Sequence, residues 1–239
     1  MTDQTDVSLP QPGTTHKRVV VITGASRGLG RAVAQALAGA DSHLVLIART
    51  SGGLEEVDDY VTQAGGSATL VPLDLTEFGA IDRLGAALYE RFGKVDGFVG
   101  AAAQLGVLSP VGHIKPDVWT KTFDLNVTAN WRLIRTLDPL FRMAEAARVV
   151  LVTDRKARER EAYWAVYAAS KAALETLALT YAAEVAHTGI SVTTFDPGPM
   201  ATALRGRAYP GEDRSALQQP KDAAQALVPL VLGSQTITA

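Results

Sequence analysis

The stretch from Arg18 to Ala34, RVVVITGASRGLGRAVA, constrains the fold of this chain more than any other. It opens as a continuous β-branched run bounded by a glycine turn, the pattern of a strand buried on both faces of a parallel sheet, and the residues after Gly30 have helical spacing. A strand that enters a helix through such a turn brings backbone N–H groups and the helix N-terminus up to a pyrophosphate. A Cβ at Gly24, Gly28 or Gly30 would keep that group out. The turn therefore reads as a dinucleotide cradle, although ordinary tight strand-to-helix turns use glycines too.

Further along, Tyr167-Ala168-Ala169-Ser170-Lys171 lies in a stretch of helical character. Positions four apart share a helix face, so the phenol and the ammonium point into the same space. A free tyrosine has a pKa of about 10, and a cation held close favours its phenolate, bringing it nearer to working pH for proton transfer.

Around these motifs, apolar runs at Leu44 to Ala48, Ala68 to Leu73, Arg148 to Thr153 and Ile190 to Phe195, with a fourth strand running into small residues over Gly93 to Ala103, alternate with amphipathic segments. The alternation predicts an α/β chain: a single doubly wound Rossmann domain with a mainly parallel sheet and helices on both faces. At 239 residues and 47% hydrophobic content, one core is enough. Residues 1–15, polar with Pro10 and Pro12, read as a mobile tail, and residues 16–239 as the domain. A net charge of −2 gives no electrostatic case for nucleic acid or an anionic membrane, and no apolar run reaches membrane-spanning length. The absence of cysteine excludes disulfides and thiolate zinc ligands, so no metal is expected, and it fits a cytoplasmic location.

The spacing Thr23-Gly24-x-x-x-Gly28-x-Gly30, with Tyr167-x-x-x-Lys171 and Pro197-Gly198-x-x-x-Thr202 following in order, resembles the short-chain dehydrogenase/reductase family over about residues 17 to 236. The stretch Gly198 to Asp213 also resembles bacterial YciK-type oxidoreductases. The resemblance implies reversible hydride transfer between NADP(H) and a small-molecule carbonyl or alcohol. In that reading Tyr167 carries the proton, Lys171 holds the ribose and tunes the phenol, and Asn126 kinks its helix and orders a water behind the lysine. Gly24, Ser26, Gly28, Leu29 and Gly30 would surround the pyrophosphate. Asp74, Leu75 and Ala101 would flank the adenosine, while Pro197, Gly198, Met200 and Thr202 would face the nicotinamide and pyrophosphate. Arg49, at the end of the second apolar run, favours the 2′-phosphate of NADP(H), with Arg27 as a second cation. Alternatively, both are solvated surface arginines, and Asp74 simply caps the next helix.

Two departures from the family pattern bear on activity. Gly100 to Ala103 stand where the family has Asn-Asn-Ala-Gly, and Asp154, thirteen residues before Tyr167, stands where the family has a catalytic serine. A serine can donate to a carbonyl oxygen, whereas a carboxylate only accepts and places negative charge beside a developing oxyanion. Asp154 could be held protonated as a donor, turn outward, or mark a protein that binds NADP(H) in a regulatory role without turnover. Thr153 has a hydroxyl, but strand alternation points it away unless a bulge rotates the chain. Arginines at 205, 207 and 214, with the basic run 155–160, hint at an anionic substrate or are solvated loops. Finally, residues 172–183 continue the Tyr167 helix with Glu175 as the only charge. A helix so apolar all round predicts a second covered face, and the resemblance supplies a homodimer through it. Because the sequence stops at Gln235 to Ala239, too early for the seventh strand of family tetramers, a dimer is expected rather than a tetramer.

Overall fold

A computed structural model describes residues 17–39 and 41–233. The expected N-terminal tail and the segment Gln235 to Ala239 lie outside the described residues. Six strands form one sheet: β1 (Arg18–Thr23), β2 (Ser42–Ala48), β3 (Ser67–Pro72), β4 (Gly97–Gly100), β5 (Ala147–Val152) and β6 (Ile190–Phe195). Their order is β3-β2-β1-β4-β5-β6, and every pairing is parallel. The strand order reverses between β1 and β4, so a crevice opens at the carboxyl ends of these two strands, where doubly wound sheets bind ligands.

Side-chain alternation divides the core between the two faces. Val19, Val21, Val45, Ile47, Phe98, Val149 and Leu151 pack on one side, under α3 (Phe78–Phe92), α5 (Ala129–Arg142) and α7 (Ala165–Glu184). Val20, Ile22, Leu44, Leu46, Val99 and Val150 pack on the other, under α1 (Gly28–Ala36), α2 (Ser51–Gln63) and α9 (Pro220–Leu232). Near-continuous apolar strands follow from having both faces covered. Among the described residues no helix is long and apolar enough to cross a membrane.

One short helix, α4 (Pro116–Phe123), runs into α5 through a π turn at Asp124–Thr128. After β5 the chain makes a single turn of helix, α6 (Lys156–Glu159), before α7, and α8 (Ala203–Ala208) follows β6. The π turn, α6 and α8 contribute residues to the walls of the crevice.

Candidate active site

The glycine turn is held to the neighbouring strand by Thr23, whose Oγ1 accepts from the backbone N–H groups of Ala101 (3.1 Å) and Ala102 (3.2 Å). Sequence reading assigned Thr23 no such task. Gly24 adopts φ +67°, and a Cβ there would lie 3.0 Å from the Ala102 backbone. At Gly30 a Cβ would meet the Gly24 carbonyl oxygen at 2.4 Å. The bareness of Gly30 thus serves the turn itself, a constraint the sequence reading did not include. At Gly28, with φ +57°, a Cβ would have only the Thr202 methyl, at 3.8 Å, within reach. Of the three, Gly28 leaves space in front of the α1 N-terminus.

That space belongs to a cleft of about 860 Å³. Gly24, Ser26, Arg27, Gly28, Leu29 and Gly30 line one end, together with Arg49, Leu75 and Ala101. Pro197, Gly198, Met200 and Thr202 form another wall, and Asp154, Tyr167 and Lys171 the inner one. The side chains of Arg27 and Arg49 are exposed and make no hydrogen bond or ion pair among the described residues. Thr202 caps α8, its Oγ1 accepting from Arg205 N (3.2 Å), and keeps its hydroxyl proton for another partner. Asp196 pins the same wall, accepting from Gly198 N (2.9 Å) and, across the cleft base, from Arg155 N (2.9 Å).

Asp74 and Asn126 do not line the cleft. The Asp74 carboxylate accepts from Thr76 N (2.9 Å) and Thr76 Oγ1 (2.8 Å), and Glu77, not Asp74, is the N-cap of α3. Burial raises the Asp74 pKa, but the Thr76 hydrogen bonds and the Arg49 charge outweigh it and leave the carboxyl below its usual range. Asn126 is fully buried in the π turn. Its Oδ1 accepts from Gln104 N (2.9 Å), and its Nδ2 donates to Gln104 O and Ser170 Oγ, each at 2.9 Å. Both N–H donors and the oxygen of that amide are engaged in fastening the loop after β4 to α7. Its backbone carbonyl accepts from Asn130 Nδ2 (3.0 Å).

Tyr167 and Lys171 project from the first two turns of α7, and both are buried. The Tyr167 hydroxyl donates to Asp154 Oδ2 at 3.0 Å, so Asp154 faces inward, and the outward orientation considered from the sequence is overturned. The other carboxylate oxygen accepts from Lys156 N (2.9 Å), which fixes the side chain at the start of α6. Burial pushes the phenol well above its ordinary range, and the Asp154 charge and hydrogen bond push it further. Lys171 donates from Nζ to Val152 O (2.8 Å). Burial lowers its pKa to about 8, while the carboxylates of Asp154 and Asp196 pull the other way. Beside them the Thr153 hydroxyl is buried without a hydrogen-bond partner among the described residues.

The basic segments at the mouth are largely neutralised. Lys156 pairs with Glu159 (2.6 Å) and Glu161, and Arg205 with Glu212 through two contacts at 2.7 and 2.5 Å. Arg158 pairs with Glu175. The sequence shows their cations without showing these partnerships.

Residues 18–213 match the profile of the short chain dehydrogenase family. The chain is 29% identical over 226 residues to the uncharacterized oxidoreductase YciK of Escherichia coli K12, a span of 93% of this chain and 88% of YciK. A Pseudomonas syringae structure described as a short chain dehydrogenase superposes with a TM-score of 0.88 at 30% identity, covering 95% of this chain and 94% of the other. An Escherichia coli CFT073 short chain dehydrogenase complexed with NADPH gives 0.84 at 28% identity, with 93% of each chain covered.

Proposed function

This chain belongs to the short-chain dehydrogenase family, and from that premise we propose that it is an NADP(H)-dependent oxidoreductase acting on a carbonyl or alcohol, with Asp154 where the family has serine. The carrying observation is the half-buried Asp154 hydrogen-bonded to the buried Tyr167, with the buried Lys171 beside them, in the same cleft that the open turn at Gly28 lines. When bound, the nicotinamide supplies or accepts the hydride at the carbonyl carbon.

The chain's own residues do the rest. Gly28 and the α1 N-terminus receive the pyrophosphate, and Arg27 and Arg49, without ion pairs among the described residues, take the 2′-phosphate that NADP(H) has and NAD(H) lacks. The relative complexed with NADPH supports that choice. In reduction, the carbonyl π electrons move onto its oxygen, which takes the proton from Tyr167. The Tyr167 hydroxyl proton must first turn from Asp154 toward that oxygen. A phenol held neutral suits the donor role in reduction. Lys171 supplies the positive charge that steadies the phenolate left behind, and Asn126 is a positioning residue that holds the wall against α7. The same chain is proposed to pair as a homodimer through α7.

NADPH and NADH oxidation, measured with a panel of aldehydes and ketones, tests this. The wild-type protein is expected to use NADPH at least ten-fold better. Tyr167→Phe is expected to lose turnover while its NADPH titration by fluorescence is unchanged. Tight NADPH binding with no turnover on any carbonyl would favour the regulatory alternative.

A further inference from the structure

The end of the cleft beyond Tyr167 is walled by three segments that are distant in the chain. Leu105 comes from the loop after β4, Trp164 from the entry to α7, and Leu204, Ala208 and Tyr209 from α8 and the residue after it. Leu105, Trp164 and Tyr167 are themselves buried and form a small apolar cluster separate from the two main cores. Trp164 stands edge-on to Tyr167 (5.9 Å between centroids) and lies 5.6 Å from Tyr209. The substrate oxygen must reach Tyr167, so the remainder of the substrate lies against these side chains.

Two of the cations around this chamber are already matched. Lys156 lies over the Trp164 ring at 4.8 Å and is held by Glu159 and Glu161; Arg205 lies over Tyr209 at 3.8 Å and is held by both oxygens of Glu212. An incoming carboxylate would have to displace a protein carboxylate from a two-point contact to use Arg205. The negative charge that faces the reacting oxygen is Asp154, 3.0 Å from the Tyr167 hydroxyl. A 2-oxo acid carries its carboxylate on the atom next to the carbonyl carbon, so binding it at Tyr167 brings two like charges together in a shielded site. Arg207 also lines the cleft and has no ion pair among the described residues, but it is exposed, where solvent and salt weaken its pull.

We infer that the chamber formed by Leu105, Trp164, Leu204, Ala208 and Tyr209 takes a neutral, hydrophobic carbonyl compound and rejects one with a carboxylate beside its carbonyl. The inference rests on the oxidoreductase reading. Methyl phenylglyoxylate and phenylglyoxylate share a ketone and a ring, and differ in whether the neighbouring group is a neutral ester or a carboxylate. With NADPH, kcat/KM for the ester is expected to exceed that for the acid at least ten-fold. Equal values, or a preference for the acid, would overturn the inference and leave the oxidoreductase reading standing. Trp164→Ala is expected to lower kcat/KM for the ester at least five-fold more than for propanal, and Trp164→Phe to restore most of it; a uniform loss on both substrates with Trp164→Ala would count against the chamber. If neither glyoxylate is reduced, that reading fails for this pair, and calorimetry on the NADPH-loaded protein with methyl benzoate and benzoate decides the chamber separately. Tighter binding of the ester supports it, whereas tighter binding of benzoate, or binding of neither, overturns it.

Discussion

Lys171 is buried with its ammonium on a single carbonyl, Val152 O, and burial lowers its pKa from 10.5 to about 8. A lysine in that position binds fewer protons folded than unfolded across the interval, so its charge opposes folding below about pH 8, and the opposition fades as pH rises toward 10.5. The cost at neutral pH is roughly 3 kcal/mol, and replacing Lys171 by methionine would forfeit about 1 kcal/mol by orphaning the Val152 carbonyl. Lys171→Met is therefore expected to gain about 2 kcal/mol in urea unfolding of the cofactor-free protein at pH 7, with the gain shrinking by pH 10, while turnover is lost. Asp154 invites the opposite experiment. Its carboxylate draws the Tyr167 hydroxyl proton away from a substrate and faces the oxygen on which negative charge grows. Asp154→Ser is expected to raise kcat/KM for neutral ketones by about ten-fold, part of what one oriented donor is worth. A fall below detection would show that the carboxylate itself moves a proton. The thirteen-residue spacing between Asp154 and Tyr167 is visible in the sequence, but the inward direction of the carboxylate is not, because it depends on Lys156 N at the start of α6.

Glycines that look alike in the turn after β1 have different work to do. A Cβ at Gly30 collides with backbone at 2.4 Å, so Gly30→Ala forces strand and helix apart, and a loss of about 3 kcal/mol is expected in urea unfolding. Gly28→Ala adds only the strain of a left-handed alanine, about 1 kcal/mol, but fills the space in front of α1. NADPH affinity, read by fluorescence titration, is expected to fall more than ten-fold in Gly28→Ala; unchanged affinity would remove the turn from the binding site. The strands are legible because parallel strands covered on both faces read as apolar runs, as RVVVIT and HLVLIA do. What a missing Cβ avoids is not legible, since it depends on the atoms that the fold brings opposite. Gly100 makes the same point. A Cβ there would meet Asn130 Oδ1 at 2.7 Å and Leu151 at 2.6 Å, so the residue that stands in place of the family's first asparagine is small because an amide from α5 occupies its space. The basic mouth misleads for a related reason: Arg205 and Lys156 count as cations in a sequence and as neutralised pairs in the folded chain.

At the scale of the whole molecule, residues 172–183 of α7 are nearly bare of charge where a monomer would show polar residues, and large apolar side chains are exposed on α7 and on the neighbouring α4 and α5. Leu179 on α7 is 58% exposed, Trp131 on α5 43%, and Trp119 on α4 41%, the last stacked on Phe123 at 4.7 Å. Glu175, the only charge in residues 172–183, is tied to Arg158 and largely covered, so the middle of α7 presents alanine, leucine and threonine. Solvent-exposed apolar surface of this size on a rigid helix is stabilised by a second copy more readily than by water, and a two-fold contact places the same helix against itself. The proposed dimer would also brace the helix that carries Tyr167 and Lys171, which links assembly to the site without any residue crossing between protomers. Light scattering is expected to give the mass of two chains for the wild-type protein. Leu179→Lys puts a charge into the centre of that contact and is expected to shift the protein to single chains at micromolar concentration, with a matching loss of thermal stability. A wild-type monomer, or a Leu179→Lys protein that remains a dimer, would remove α7 from the interface.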